Sequence, residues 1–345
     1  MTHHIVHSRR LPKARQEVVS LQKDSSALSS LIKFLLRFVL LLLAFSTLRA
    51  EAKVDTAQLL TELPGFTSGF AKVNGIRLHY IEGGNGAPLI LLPGWLQTWW
   101  EYHQIMPALA KHFHVIVVDI RGMGDSDRPA DGYDKKTMAQ DISELVKSLG
   151  FEKVNIAGHD IGGQVVFSFI ANHPDQSLRA AMMDVVHPND SFYKIPMVPA
   201  GEVDDHHPKF PWWIAFNQVR GLPEQALEGR FHIVQDWVFD YALKDKQSIS
   251  LEDRAVFEEA YKSREAIRAS NAWYQAFPKD ILDARGYGKI QVPLLALGAT
   301  GYEGMKNSLS AKVENLHLVR VEDSGHFVVE EQPAFVTAQL LEFFK

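Results

Sequence analysis

Cysteine is absent from this chain of 345 residues. Disulfide bonds, thiolate metal sites and a cysteine nucleophile are therefore excluded. The chain also lacks an excess of positive charge, because its 36 lysine and arginine residues are outnumbered by 41 aspartate and glutamate residues, and the formal net charge is -5. We therefore expect no nucleic-acid partner. The sequence has no phosphate-binding loop and no dinucleotide-binding fingerprint, so no cofactor is expected.

A hydrophobic run long enough to span a bilayer is also missing at the N-terminus. The apolar run Phe38–Phe45 is much shorter than the roughly 20 residues that a membrane-spanning helix needs. A basic stretch precedes it, and Ala50-Glu51-Ala52 matches a small-x-small cleavage pattern. We predict a signal peptide over residues 1–52, cleaved after Ala52, and hence a secreted or periplasmic protein. If this segment stays uncleaved, it would anchor the protein to a membrane, and only then do we expect membrane contact.

After residue 52, predicted strands alternate with predicted helices. Continuous apolar runs predict strands at residues 88–92, 114–120, 153–157, 178–185, 293–297 and 316–321. Asn74-Gly75 between two extended runs predicts an antiparallel hairpin, and Thr137 with Gln140 forms a capping-box pattern that predicts the start of a helix. The alternation predicts an α/β fold with a mostly parallel, twisted sheet that is flanked by helices.

The alternation stops between residues 187 and 285, where the pattern is helical and rich in aromatic residues. We predict that this segment is a helical lid over the ends of the strands, where such sheets place their sites. The lid would divide the core into a first part, residues 53–186, and a second part, residues 286–345.

A sharp-turn motif joins a predicted strand to a predicted helix at residues 157–163 (AGHDIGG). It has the form G-x-nucleophile-x-G, with Asp160 at the nucleophile position. A carboxylate is unsuited to attack an ester, because it would form an anhydride, but it can displace a leaving group at a saturated carbon. If Asp160 is the nucleophile, we expect hydrolysis through a covalent alkyl-enzyme ester. The alternative is that Asp160 only caps the following helix.

His326 follows the last predicted strand, and a nucleophile that precedes the histidine along the chain is typical of a hydrolase triad on such a sheet. His326 would activate the water that attacks the ester. Either Asp184, at a strand end, or Glu303, farther along a loop, would orient the histidine, and we favour Asp184. The backbone N–H groups of Trp95 and Ile161 are the expected oxyanion donors.

From about residue 66 onward, the chain resembles the epoxide hydrolase and dehalogenase branch of the α/β-hydrolase superfamily. The resemblance rests on residues 93–99 (PGWLQTW), residues 119–126 (DIRGMGDS), the GHDIGG turn and residues 324–327 (SGHF). It implies an α/β-hydrolase fold with an inserted lid and supports Asp184 as the acid.

The lid segment at residues 272–277 (AWYQAF) resembles the family segment whose tyrosine donates a hydrogen bond to the epoxide oxygen. This implies that Tyr274 is the general acid for ring opening, whereas the alternative is an aromatic side chain that only packs the lid. Trp213 stands where relatives often have a second donor, tyrosine or histidine. Ile161 replaces the tryptophan or arginine that dehalogenases carry after the nucleophile, which argues against a halide or haloacid substrate, although Trp213 could bind a halide.

These features predict that the protein hydrolyses a small-molecule epoxide to a vicinal diol. We expect Trp99, Trp213, Phe216 and His159 to contact the substrate in an apolar pocket. Dehalogenation of a haloalkane or haloacid is the alternative reaction, and a catalytically silent ligand-binding relative is the alternative of another class. No metal site is predicted, because the polar run at residues 204–207 (DDHH) is typical of a solvated loop.

Overall fold

The computed structural model describes residues 55–196, 198, 199, 201 and 210–345. The predicted signal peptide, residues 1–52, and the polar run at residues 204–207 lie outside the described residues. Within the part of the chain that is described, no helix is long and apolar enough to cross a membrane.

The centre of the described fold is an eight-stranded sheet. Its strands are β1 (Phe66–Val73), β2 (Ile76–Gly83), β3 (Ala87–Leu92), β4 (Phe113–Val118), β5 (Val154–His159), β6 (Ser177–Met183), β7 (Leu294–Gly298) and β8 (Leu316–Arg320). They stand in the order β1-β2-β4-β3-β5-β6-β7-β8. Strand β2 pairs antiparallel with β1 and β4, and the remaining pairs are parallel. The mostly parallel sheet that the sequence predicts is therefore confirmed.

Helices connect and cover these strands. They are α1 (Thr56–Leu59), α2 (Met106–Leu109), α3 (Lys135–Ser148), α4 (Asp160–Asn172), α5 (Trp212–Gln218), α6 (Leu222–Leu227), α7 (His232–Ala242), α8 (Leu251–Tyr261), α9 (Arg264–Gln275), α10 (Phe277–Gly286), α11 (Tyr302–Leu309), α12 (Val328–Glu331) and α13 (Pro333–Phe344). Every residue of β5 is buried, as expected for a parallel strand with helices on both faces. Helices α5–α10 fall between β6 and β7 in the chain, the segment for which the sequence predicts a lid.

The capping box predicted at Thr137 and Gln140 is wrong. Helix α3 begins one turn earlier, at Lys135, and Asp134 is its N-cap residue. The Asp134 carboxylate accepts hydrogen bonds from the backbone N–H of Thr137 at 3.0 Å and from its hydroxyl at 2.8 Å. An aspartate satisfies the free N–H groups of a first turn as well as a threonine does, so the earlier residue caps the helix and Thr137 becomes its partner.

The parallel strands bring several chemically active residues to one edge of the sheet. Trp95 follows β3, Asp160 follows β5 and Asp184 follows β6. Thr300 follows β7 and His326 follows β8. Because the carboxyl ends of parallel strands meet at the same edge, residues that lie far apart in the sequence become neighbours there.

Candidate active site

The turn between β5 and α4 holds Asp160 in a conformation that few residues adopt. Its φ is +44°, in the left-handed region, and its side chain projects from the first residue of α4. Gly162 makes the turn possible, because a Cβ on that residue would lie 2.1 Å from the carbonyl oxygen of Leu92. The partial positive charge of a helix N-terminus stabilises an anion at this place.

The Asp160 carboxylate has a different neighbour for each oxygen. The backbone N–H of Trp95 donates a hydrogen bond to Oδ1 at 2.9 Å, and Nε2 of His326 lies 3.7 Å from Oδ2. Burial raises the pKa of Asp160, but its interactions with His326, the charge of His159 and the Trp95 N–H outweigh burial and lower the pKa to about 2. The group is therefore an anion at neutral pH, with one oxygen held by a donor and the other turned toward the histidine.

Asp184 holds the other side of His326. The imidazole Nδ1 donates to Asp184 Oδ2 at 2.9 Å. Three more donors, each at 2.7 Å, fix this carboxylate: the N–H groups of Ala299 and Gly301 and the hydroxyl of Thr300. Burial raises the pKa of Asp184, but the hydrogen bond and charge of His326, followed by the Thr300 and Gly301 donors, lower it overall. Asp184 therefore remains ionised and fixes the ring with Nε2 facing Asp160.

Glu303, the other acid considered from the sequence, is not beside His326. It lies on α11, its side chain is 65% exposed, and it pairs with Arg320 at 2.7 Å. Glu303 lies in the first turn of this helix and faces solvent, so Asp184 is the only one of the two acids that contacts His326.

His326 lies between two carboxylates, and this decides its charge. Burial lowers the pKa of the imidazole, but the hydrogen bonds and charges of Asp160 and Asp184 raise it to about 10. At neutral pH the ring is therefore an imidazolium while Asp160 is ionised.

Tyr274 on α9 faces the same space as Asp160. Its ring packs edge-on against Trp95, with 5.3 Å between the ring centroids. Burial, followed by the charge of Asp160, raises the pKa of the phenol well above its usual value, so the hydroxyl keeps its proton. This hydroxyl makes no hydrogen bond to any described residue, and it is thus available to a bound molecule.

A cavity of about 380 Å³ lies between these groups and the helices of residues 212–286. Trp213, Ile161 and Tyr274 line it together with Asp160 and His326. Of the described residues in its wall, none is lysine or arginine, and most of the lining is apolar. The N–H of Ile161 lies in the first turn of α4, where helical N–H groups have no partner inside the helix, as an oxyanion donor requires.

Three residues expected to contact the substrate lie elsewhere. Trp99 is buried under the loop after β3, where its backbone N–H donates to Asp119 at 2.9 Å. Phe216 packs against Trp212, with 5.7 Å between the ring centroids. His159 is buried behind Asp160. None of these three residues is in the cavity wall. The expectation failed because the sequence of a segment does not reveal which of its side chains face a cavity.

The structure also brings residues to the site that were not identified from the sequence. Gln164 lines the cavity one helical turn after Asp160, and the i, i+4 spacing could have identified it. Thr300 supports Asp184, and its place after a strand end was a usable signal. Glu101 lies behind the site on a short 3-10 helix, and nothing in the sequence connects it with residues more than fifty positions away.

Comparison with known proteins identifies the family and the fold of this chain. Residues 87–211 match a family model described as the alpha/beta hydrolase fold. The chain is 34% identical to the soluble epoxide hydrolase of Corynebacterium sp. (strain C12), over 79% of this chain and 96% of that protein. It is 27% identical to the fluoroacetate dehalogenase of Burkholderia sp., over 81% of this chain and 94% of that protein. In fold, it resembles the Cif epoxide hydrolase from Acinetobacter nosocomialis with a TM-score of 0.76, at 22% identity, over 82% of this chain and 90% of that one.

Proposed function

Because this chain belongs to the α/β-hydrolase family, in the branch of the epoxide hydrolases and dehalogenases, and is a hydrolase, we propose that it converts epoxides to vicinal diols through a covalent ester on Asp160. The observation that carries the proposal is the set of groups around one apolar cavity. An ionised carboxylate faces a protonated phenol there, and a histidine–aspartate pair stands beside the carboxylate.

In the first step, Asp160 Oδ2 attacks a ring carbon of the epoxide, and the carbon–oxygen bond of the ring breaks. Tyr274 gives its proton to the leaving oxygen, because a phenol is a suitable acid for an alkoxide. The product is a hydroxyalkyl ester of Asp160 and a phenolate on Tyr274. The imidazolium of His326 then supplies a proton that restores the phenol and leaves the imidazole neutral.

In the second step, His326 removes a proton from water, which attacks the carbonyl carbon of the ester. The oxyanion that forms on Oδ1 is stabilised by the N–H of Trp95, which already donates to that oxygen, and by the N–H of Ile161. Collapse breaks the bond between Cγ and the alkylated oxygen, and that oxygen takes the proton of the hydroxyl that water placed on Cγ, which releases the diol. The carboxylate and the imidazolium are regenerated, so no external proton is consumed.

Dehalogenation is a second candidate, and the position of Trp213 favours it. The indole of Trp213 shares the cavity with Tyr274, and N–H and O–H donors can bind a departing halide. A haloacid is disfavoured, because none of the described lining residues is a lysine or arginine that would pair with its carboxylate. A neutral haloalkane is the halogenated substrate that suits the cavity better.

The experiment that tests the proposal is intact mass spectrometry of a His326→Gln variant mixed with small epoxides or haloalkanes. Without the base, the ester should accumulate. We expect an adduct with the mass of the whole epoxide, mapped to Asp160 by peptide analysis and absent from the His326→Gln, Asp160→Asn double variant. An adduct that forms only from haloalkanes, with loss of the halide, would move the assignment to dehalogenase. No adduct from either panel would contradict the proposal.

Export is a separate proposal that rests on residues 1–52 alone. We expect the mature protein to begin at Lys53 and to be found outside the cytoplasmic membrane. N-terminal sequencing of protein recovered from the extracytoplasmic fraction tests this, and an intact N-terminus in the membrane fraction would support an anchor instead.

A further inference from the structure

A buried ion pair lies behind the nucleophile, and neither step of the proposed reaction uses it directly. It consists of Glu101 and His159, both 0% exposed. Glu101 Oε1 lies 3.2 Å from His159 Nδ1, an ion-pair distance. The other oxygen, Oε2, accepts a hydrogen bond from the backbone N–H of Gly94 at 2.8 Å. The carboxylate thus connects the loop after β3 with the last residue of β5.

His159 continues this connection to the catalytic base. Its Nε2 lies 2.9 Å from the backbone carbonyl oxygen of His326. A carbonyl only accepts, so Nε2 must carry a proton. A neutral ring would then turn the lone pair of Nδ1 toward the Glu101 carboxylate, which is unfavourable. A proton on Nδ1 would remove this repulsion and pair two buried charges at ion-pair distance, although Nδ1 and Oε1 do not meet the geometry of a hydrogen bond.

The groups at the two ends of this chain of contacts are the ones that ester hydrolysis needs. Gly94 immediately precedes Trp95, whose N–H holds Asp160 Oδ1. The rings of His159 and His326 are also close, with 4.6 Å between their centroids. One carboxylate thus restrains both the peptide beside the oxyanion donor and, through His159, the backbone of the catalytic base.

We propose that Glu101 is a positioning residue for ester hydrolysis. It fixes the position of the Trp95 N–H through Gly94 and the position of His326 through His159. The inference rests on the proposed function. Formation of the ester needs only Asp160 and the phenol of Tyr274, whereas its hydrolysis needs the base and the oxyanion donor together. A loss of the Glu101 charge should therefore slow the second step much more than the first.

Glu330 provides a matched control for Glu101. It is also a buried glutamate, 6% exposed, and it accepts a hydrogen bond from the side-chain amide of Gln97. Burial, followed by the charge of Glu101, raises the pKa of Glu330 well above its usual value. Both causes favour the uncharged form of Glu330, which a glutamine copies in shape and charge. No hydrogen bond or ion pair joins its side chain to Gly94 or His159 in the described structure.

The test compares Glu101→Gln with Glu330→Gln in two measurements on the whole protein. In the first, single-turnover quench with mass analysis gives separate rates for ester formation and ester decay. For Glu101→Gln we expect the rate of ester decay to fall at least about 10-fold, because a displaced oxyanion donor loses part of the stabilisation that a complete removal would abolish. The rate of ester formation should change by less than about 3-fold. For Glu330→Gln we expect both rates to match those of the unchanged protein.

The second measurement needs no substrate. Isotope-labelled histidine resonances report the ring protons of His159, assigned with a His159→Gln variant, and those of His326. In Glu101→Gln the Nδ1 proton of His159 should be lost or shifted strongly and the His326 ring should respond, while Glu330→Gln should leave both unchanged. Unchanged His159 signals in Glu101→Gln would overturn the inference, as would equal slowing of both steps or equal effects of the two variants. If no epoxide alkylates any variant, the proposed function fails, and the resonances still decide whether Glu101 holds His159.

Discussion

The charge of His326 should depend on whether Asp160 is ionised, and this prediction can be made quantitative. Burial lowers the pKa of His326, and the two neighbouring carboxylates raise it to about 10. At the 3.7 Å that separates Nε2 from Asp160 Oδ2, two unit charges interact by about 4.5 kcal/mol at an effective dielectric constant of about 20, equivalent to about 3 pH units. Neutralisation of Asp160 should therefore lower the pKa of His326 from about 10 to about 7.

An Asp160→Asn variant copies the neutral state of the ester, so it allows the effect to be measured without substrate. The assay is a pH titration of the His326 ring resonances in the unchanged protein and in the variant. A Glu303→Gln variant serves as the control, because Glu303 is exposed and paired with Arg320, and it should leave the titration unchanged. A fall of less than about 1 pH unit in Asp160→Asn would refute the reasoning, because His326 would then remain protonated in the ester and could not act as a base.

Three further predictions concern individual groups. A Tyr274→Phe variant should form the ester about 100- to 10,000-fold more slowly, because the general acid is lost. Single-turnover experiments should show an unchanged rate of ester decay, and slowing of decay by the same factor would contradict the assignment. Lys135→Met should destabilise the fold by about 3–5 kcal/mol in urea unfolding, because it leaves Asp280 buried without the ammonium group 2.9 Å away, and Lys135→Met with Asp280→Leu should recover most of the loss. The pKa of Asp160 is lowered from 3.8 to about 2, so ionised Asp160 stabilises the folded state above about pH 4, and this contribution is lost as the pH falls through about 2. The free energy of unfolding of Asp160→Asn should therefore lack this part of the acid dependence, and an unchanged acid profile would argue against the stabilising contacts of the carboxylate.

The parallel part of the sheet could be predicted because its strands are continuous apolar runs, and the hairpin because Asn-Gly favours a tight turn. The order of Asp160 and His326 along the chain, and the position of Asp184 at a strand end, were also visible in the sequence. A strand end fixes where a residue lies relative to a parallel sheet, and the structure places His326 beside Asp184.

Contacts between distant segments were not predictable. Trp99 and Phe216 were expected at the substrate because they are aromatic, but the direction of a side chain in an irregular or short helical segment depends on what packs against it. His159 occupies a strand end like Asp184, yet it points behind Asp160 toward Glu101. Only the folded structure reveals that Glu101, from the loop after β3, provides the partner for this imidazole.

The central claim is that Asp160, rather than a free water molecule, attacks the substrate. A single turnover of an epoxide, with enzyme in excess and in water enriched in oxygen-18, tests it most directly. The account predicts a first diol without the heavy isotope, because the added oxygen comes from Asp160, and a peptide containing Asp160 that has gained one heavy oxygen. A first diol that carries the heavy isotope, together with an unlabelled Asp160, would contradict the account and show that water attacks the epoxide directly.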